Sequence, residues 1–130
     1  KKFDINIEDA KYNGLWSKVI ASTLFKMGVR DICIAPGNRN TPLVISMTSY
    51  NGFNCTSHID ERSCAFYGLG LSKITQRPTV IITTSGTATA NLYPAIIEAN
   101  LSQIPLIILT ADRPNRLVGT GENQTIQQRD

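Results

Sequence analysis

The sequence predicts an α/β domain: a doubly wound, parallel sheet with helices on both faces. Three observations carry this prediction. Short apolar runs such as Ile32-Cys33-Ile34-Ala35, Pro78-Thr79-Val80-Ile81-Ile82-Thr83-Thr84 and Ile104-Pro105-Leu106-Ile107-Ile108-Leu109-Thr110 have the continuous character of strands buried on both faces. Stretches with helical apolar spacing alternate with them, which is the pattern of crossover units. The chain has 130 residues, 42% hydrophobic and 18% charged, enough for one core of this kind.

The elements follow in order. Lys1 to Lys11 is polar and reads as a poorly ordered lead-in. Asn13 can cap a helix, and Leu15, Trp16, Val19, Ile20, Thr23, Leu24 and Met27 keep the spacing of one buried face. Gly28 stands where a helix stops in the left-handed conformation. Asp31 to Ala35 is the first strand, and Pro36-Gly37-Asn38-Arg39-Asn40 leaves it in a turn. Thr41 can cap a short helix over Leu43 to Tyr50, with Pro42 at its first position. Asn51-Gly52 turns the chain into a second strand, Phe53 to Ile59. A helix runs from Arg62 to Lys73. Its internal Gly68 and Gly70, each costing about 1 kcal/mol relative to alanine, point to close packing on a partner. Pro78 to Thr84 is the third strand, and Ala88 to Asn100 a small-residue helix that Pro94 is expected to kink. Ile104 to Thr110 is the fourth strand, and the chain is loop-like from Asn115 on.

Composition excludes several function classes. The net charge is +3, but the basic residues are scattered singly after Lys1-Lys2 with no interleaved aromatics, which disfavours nucleic acid. No apolar run has the length of a membrane span, and the amino-terminal stretch lacks a signal-peptide core. Cys33, Cys55 and Cys64 are odd in number without C-x-x-C spacing, and there is one histidine. Free thiols in a reducing cytoplasm fit this better than disulfides or a zinc site.

In a parallel sheet the loops after all four strands lie at one edge, where ligands bind. Here they are Gly37-Asn38-Arg39-Asn40, Asp60-Glu61-Arg62, Thr84-Ser85-Gly86-Thr87 and Ala111-Asp112-Arg113. Neither glycine loop matches a Walker or dinucleotide fingerprint. Ser85-Gly86-Thr87 before a helix serves equally as an anion cradle or a cap. On position alone Glu61 is open between a solvated first-turn acid, favoured by the helix dipole, and a site acid.

Several stretches together resemble one family. They are Cys33-Ile34-Ala35-Pro36-Gly37-x-Arg39-x-Thr41-Pro42, Asp60-Glu61-Arg62, Thr84-Ser85-Gly86-Thr87-Ala88-x-Ala90-Asn91-Leu92-Tyr93-Pro94-Ala95, Leu109-Thr110-Ala111-Asp112-Arg113-Pro114 and Gly121-x-Asn123-Gln124. In order and spacing, from about Trp16 to Gln128, they resemble the thiamine diphosphate-dependent SEPHCHC synthase family of menaquinone biosynthesis. The resemblance implies that residues 1–130 are most of the amino-terminal pyrimidine-binding domain, truncated at Asp130. The Gly-Asp-Gly motif of the family's diphosphate-binding domain does not occur here. Mg2+ or Mn2+ would be held by that other domain, so no metal ligand is expected in this chain.

By resemblance Glu61 is the catalytic carboxyl that hydrogen-bonds the cofactor's pyrimidine nitrogen, a role suited to a group screened from water. Pro36, Gly37, Thr84, Ser85 and Gly86 would line the cofactor, and Asn38, Arg39, Arg113, Asn123 and Gln124 the substrates. His58 is a structural residue on this reading. The family reaction decarboxylates 2-oxoglutarate and adds the succinyl-semialdehyde unit to isochorismate. Both substrates are anions, which gives arginines at the edge a use. The family loop reads Gly-Ser-Arg-Ser where this chain has Gly37-Asn38-Arg39-Asn40, an amide being larger than a hydroxyl. The implied setting is a cytoplasmic homodimer or homotetramer, with the cofactor between this domain and a diphosphate-binding domain of a second subunit. The fragment alone is then expected to be inactive. Two alternatives stand beside this: the matching domain of another thiamine diphosphate decarboxylase or carboligase, and a non-catalytic flavodoxin-like binding module.

Overall fold

The computed structural model describes residues 7–128. Four strands, β1 (Asp31–Ile34), β2 (Asn54–Ser57), β3 (Thr79–Thr83) and β4 (Leu106–Thr110), form one all-parallel sheet in the order β2-β1-β3-β4. The helices are α1 (Ile7–Lys26), α2 (Thr41–Thr48), α3 (Glu61–Thr75), α4 (Thr87–Ala90) and α5 (Tyr93–Leu101). Alternate side chains of the two central strands feed two cores. Ile32, Ile34, Val80 and Ile82 join Ala21, Leu24 and Met47 on the α1–α2 face. Cys33 and Ile81 join Cys64, Ala65, Leu92 and Ala95 on the α3–α5 face. Burial on both faces is why β1 and β3 read as unbroken apolar runs. The strand order reverses between β1 and β3, so the crevice for a ligand opens at their carboxyl ends.

Several element boundaries depart from expectation. The first helix starts at Ile7, so Asn13 is inside it and Ile7–Lys11 of the expected lead-in are helical; Lys1–Asn6 lie outside the described residues. Its buried stripe is Ser17, Ala21 and Leu24 with Ile20 half-buried, while Leu15, Trp16, Val19, Thr23 and Met27 are exposed. The apolar residues of α1 occupy two faces, and α2 packs on the one whose small residues, Ser17 and Ala21, allow close approach. Thr41 is the first residue of α2 rather than its cap, with Asn40 preceding it. Strand β2 ends at Ser57, and Ile59 beyond it is fully exposed.

Pro94 does not kink one long helix; it sits in the first turn of α5, which is separate from α4. A proline has no N–H to continue the preceding ladder but fits a helix start. Gly28 has φ +91, as a left-handed stop requires. An added Cβ at Gly68 would lie 2.2 Å from Ile81 Cδ1, so this glycine seats α3 on β3. Gly70 meets nothing within 4 Å and plays no such part. All three cysteines are free, with Cys33 and Cys64 buried and Cys55 half-buried. Burial, the nearby Cys33 thiol and Glu61 push Cys64 up to about 12.

Candidate active site

The sequence places two acids side by side at the start of α3, and the structure gives them different work. Asp60 is the N-cap: its Oδ1 accepts from the Arg62 N–H at 2.9 Å and the Ser63 N–H at 3.2 Å. Its carboxylate also pairs with the Arg62 guanidinium at 2.6 Å. That guanidinium, and then the Ser63 N–H, hold the Asp60 carboxyl well below the usual carboxylate range. Asp60 therefore satisfies the helix end. Glu61, one residue on and half-buried, is released from capping. Its Oε2 accepts from Nδ2 of Asn91 at 3.0 Å, and its Oε1 has no hydrogen-bond partner among the described residues.

The loop after β1 is held by an amide. Asn40 is fully buried; its Oδ1 accepts from the Gly37 N–H and its Nδ2 donates to the Ala35 carbonyl, both at 2.9 Å. This brings the Gly37 backbone against the end of β3, where an added Cβ would stand 2.7 Å from Thr84 Cβ. Pro36 and Asn38 are exposed on this loop. Arg39 is half-buried without a hydrogen bond or ion pair among the described residues. Burial and then the Arg113 charge lower its proton affinity, opposed by Glu122. In the loop after β3, the hydroxyls of Thr84 and Ser85 are buried and have no partner among the described residues.

The segment after β4 folds back over these loops. The Gly86 N–H donates to Oε1 of Gln128 at 2.9 Å, and Nε2 of Gln128 donates to the Ala111 carbonyl at 2.8 Å. Gly86 has φ +75 and lies so close to the Gln124 carbonyl that a Cβ would be 1.7 Å from it, a position open to glycine alone. With that N–H taken and α4 only four residues long, the Ser85-Gly86-Thr87 turn is a packed junction rather than an anion cradle. Arg113 is buried, at 7% exposure; its Nη2 donates to the Asn123 carbonyl and its Nη1 stands 3.7 Å from Glu122 Oε2. The side chains of Asn123 and Gln124 are exposed.

The expected residues thus fall into neighbouring groups on one edge. Glu61 stands with Asn91; Pro36, Gly37, Thr84, Ser85 and Gly86 make the middle of the edge. Arg39, Arg113 and Asn123 gather around Glu122. No hydrogen bond or ion pair joins Glu61 to either arginine among the described residues. His58 is engaged structurally: its Nε2 lies 3.1 Å from Thr56 Oγ1 and its ring is 4.9 Å from that of Tyr67. Sequence reasoning missed Asn91, Asn40 and Gln128. Asn91 carried a signal, a polar residue just before the Leu92-Tyr93-Pro94 helix start. Asn40 and Gln128 carried none: Asn40 braces backbone groups of its own loop, at Gly37 and Ala35, and Gln128 bonds the distant Gly86 and Ala111.

The edge suits a planar heterocycle with polar ring atoms. Among the described residues one carboxylate oxygen is held and the other has no partner, two buried hydroxyls lack partners, and the Gly37 backbone packs directly on the Thr84 side chain. These residues fit the pyrimidine of thiamine diphosphate. Among the described residues no three His, Cys, Asp or Glu side chains converge as a metal site would need. No described helix is long and apolar enough to cross a membrane.

The model of the N-terminal TPP binding domain of thiamine pyrophosphate enzymes matches residues 16–130. A Halobacterium salinarum protein named 2-succinyl-5-enolpyruvyl-6-hydroxy-3-cyclohexene-1-carboxylate synthase is 51% identical over 116 residues, 89% of this chain and 20% of its own length. Proteins of the same name from Histophilus somni and Vibrio vulnificus are 53% and 46% identical, over 90% and 95% of this chain and 21% and 22% of theirs. The chain therefore spans about a fifth of the length of the curated relatives it matches. With Glu61 at the carboxyl edge of an all-parallel sheet and that match over residues 16–130, the chain belongs to the thiamine pyrophosphate enzymes, in their N-terminal TPP binding domain family.

Proposed function

We propose that this chain is the pyrimidine-binding part of a SEPHCHC synthase, a carboligase of menaquinone or phylloquinone biosynthesis. The full-length enzyme would decarboxylate 2-oxoglutarate and transfer the succinyl-semialdehyde unit to isochorismate. The observation that carries this is Glu61 Oε1, without a partner among the described residues beside an oxygen fixed by Asn91, at the carboxyl edge of the sheet. Thiamine diphosphate, when bound, supplies the carbanion chemistry. Glu61 would hold and share a proton at Oε1 with the cofactor's pyrimidine edge. Thr84, Ser85 and the Gly37 backbone would shape its seat, with Pro36 and Gly86 bordering it.

Arg39, which has no ion-pair partner among the described residues, is the better-placed cation for a substrate carboxylate. Arg113 would act from behind, as its hold on Asn123 and Glu122 sets the loop carrying Gln124. Asn38 and the exposed side chains of Asn123 and Gln124 would complete the substrate side. Mg2+ or Mn2+ would be held by a diphosphate-binding domain, contributed by a second subunit of a cytoplasmic homo-oligomer.

The test is product analysis with the full-length protein, 2-oxoglutarate and isochorismate, with and without thiamine diphosphate. Cofactor-dependent release of CO2 with formation of the carboligated product is expected. Turnover of pyruvate in place of 2-oxoglutarate would assign the chain to another carboligase of the family. No cofactor dependence at all would leave a binding module.

A further inference from the structure

From the contact that fixes one oxygen of Glu61 we infer that Asn91 is a positioning residue, which decides which carboxylate oxygen meets the cofactor. The inference rests on the proposed function and deepens it. Asn91 closes α4: its N–H donates to the Thr87 carbonyl at 3.0 Å, and Leu92 beside it is fully buried. The next turn starts α5 with Pro94, so the backbone at Asn91 is gripped from both sides. A residue held this firmly is a rigid mount for a side chain. Its Nδ2 donates to Glu61 Oε2 at 3.0 Å, across thirty positions of sequence.

An amide NH2 can only donate there, so Oε2 is committed as an acceptor. The proton that Glu61 exchanges must then sit on Oε1, the oxygen without a partner among the described residues. Asp60 reinforces the division, because its own oxygens are occupied by Arg62 and Ser63 and do not compete for Asn91. Asparagine suits this better than aspartate, which would set a second carboxylate against Oε2. It also suits better than serine, whose hydroxyl is too short to span the same gap.

The experiment is a double-mutant cycle in the full-length protein between Asn91→Asp and Glu61→Ala. Two readouts are taken: the thiamine diphosphate Kd by calorimetry, and kcat with KM for 2-oxoglutarate. Asn91→Asp keeps the shape, so the far-ultraviolet circular dichroism should be unchanged, while the two facing carboxylates lower the melting temperature. The Kd should rise and kcat fall by about 10- to 100-fold each, with KM for 2-oxoglutarate unmoved. In the Glu61→Ala background the same substitution should change Kd less than about 2-fold, since Asn91 then has nothing to position. Full additivity in the two backgrounds, or wild-type Kd and kcat in Asn91→Asp, overturns the inference. If Asn91→Asp does not fold, Asn91→Ser removes the amide donor with less bulk and must reproduce the coupling; wild-type values there overturn it equally. Unchanged Kd and kcat in Glu61→Ala alone would instead sink the proposed function, which separates the two failures.

Discussion

The seat of α3 on the sheet sets the height of Glu61, and one pair of residues controls it. A methyl group at Gly68 would come 2.2 Å from Ile81 Cδ1, 3.3 Å from Thr79 Cγ2 and 3.4 Å from Cys33 Sγ. Only the first is prohibitive, and Cδ1 is the atom that valine lacks. Gly68→Ala should gain about 1 kcal/mol of helix propensity but lose about 1–3 kcal/mol to overpacking. Ile81→Val should lose about 0.5–1.5 kcal/mol, because Ile81 is fully buried. Combined, the new methyl occupies the space that Cδ1 vacates, so the double variant should lie within about 0.5 kcal/mol of wild type. The favourable coupling is then about 1–3 kcal/mol. Native-state hydrogen exchange at the β3 amides reads this locally, without requiring the whole protein to unfold in one step. Additive losses in the double variant would mean that α3 does not rest on Ile81, and that another contact sets the height of Glu61.

Further outcomes follow from the loops and thiols. Asn40→Ala should cost about 1–3 kcal/mol by leaving the buried Ala35 carbonyl without its donor, and should weaken substrate binding through Arg39; exchange protection of the loop and KM check the two parts. Cys64 stays protonated in the folded protein to about pH 12, against an ordinary value of 9.0. Between those values the unfolded chain has released a proton that the folded chain keeps, so stability must fall as pH rises from about 9. Cys64→Ala should flatten that fall in alkaline denaturation, and the wild-type thiol should resist alkylation at pH 8 until the domain opens.

How much of this was legible in the sequence depends on where each signal lies. The fold was legible because β1 and β3 are buried on both faces, and their runs of Ile, Val and Cys announce it. The face of α1 was not, since Leu15, Trp16 and Val19 keep helical spacing as well as the buried stripe does. Periodicity reports that a face is apolar, and not which face α2 covers. Asp60 and Glu61 were visible as a pair, but their division of labour depends on the backbone turning at Asp60 so that its oxygens reach Arg62 and Ser63. Arg113 was expected to point at a ligand; its contacts with Asn123 and Glu122 arise because the following segment doubles back, which no local pattern encodes. Gln128 was silent for the same reason, as its partners lie at Gly86 and Ala111.

The central claim is that the open oxygen of Glu61 activates thiamine diphosphate. It is tested most directly by exchange of the cofactor's thiazolium C2 proton for deuterium, followed by quenched-flow NMR in the full-length protein. Glu61→Gln keeps the size and an acceptor but removes the titratable proton. The account predicts exchange slower by about 10²-fold or more, with the cofactor still bound and the far-ultraviolet circular dichroism unchanged. Exchange at the wild-type rate in a fully loaded Glu61→Gln protein would contradict it, and would return Glu61 to the standing of a first-turn acid at the helix dipole.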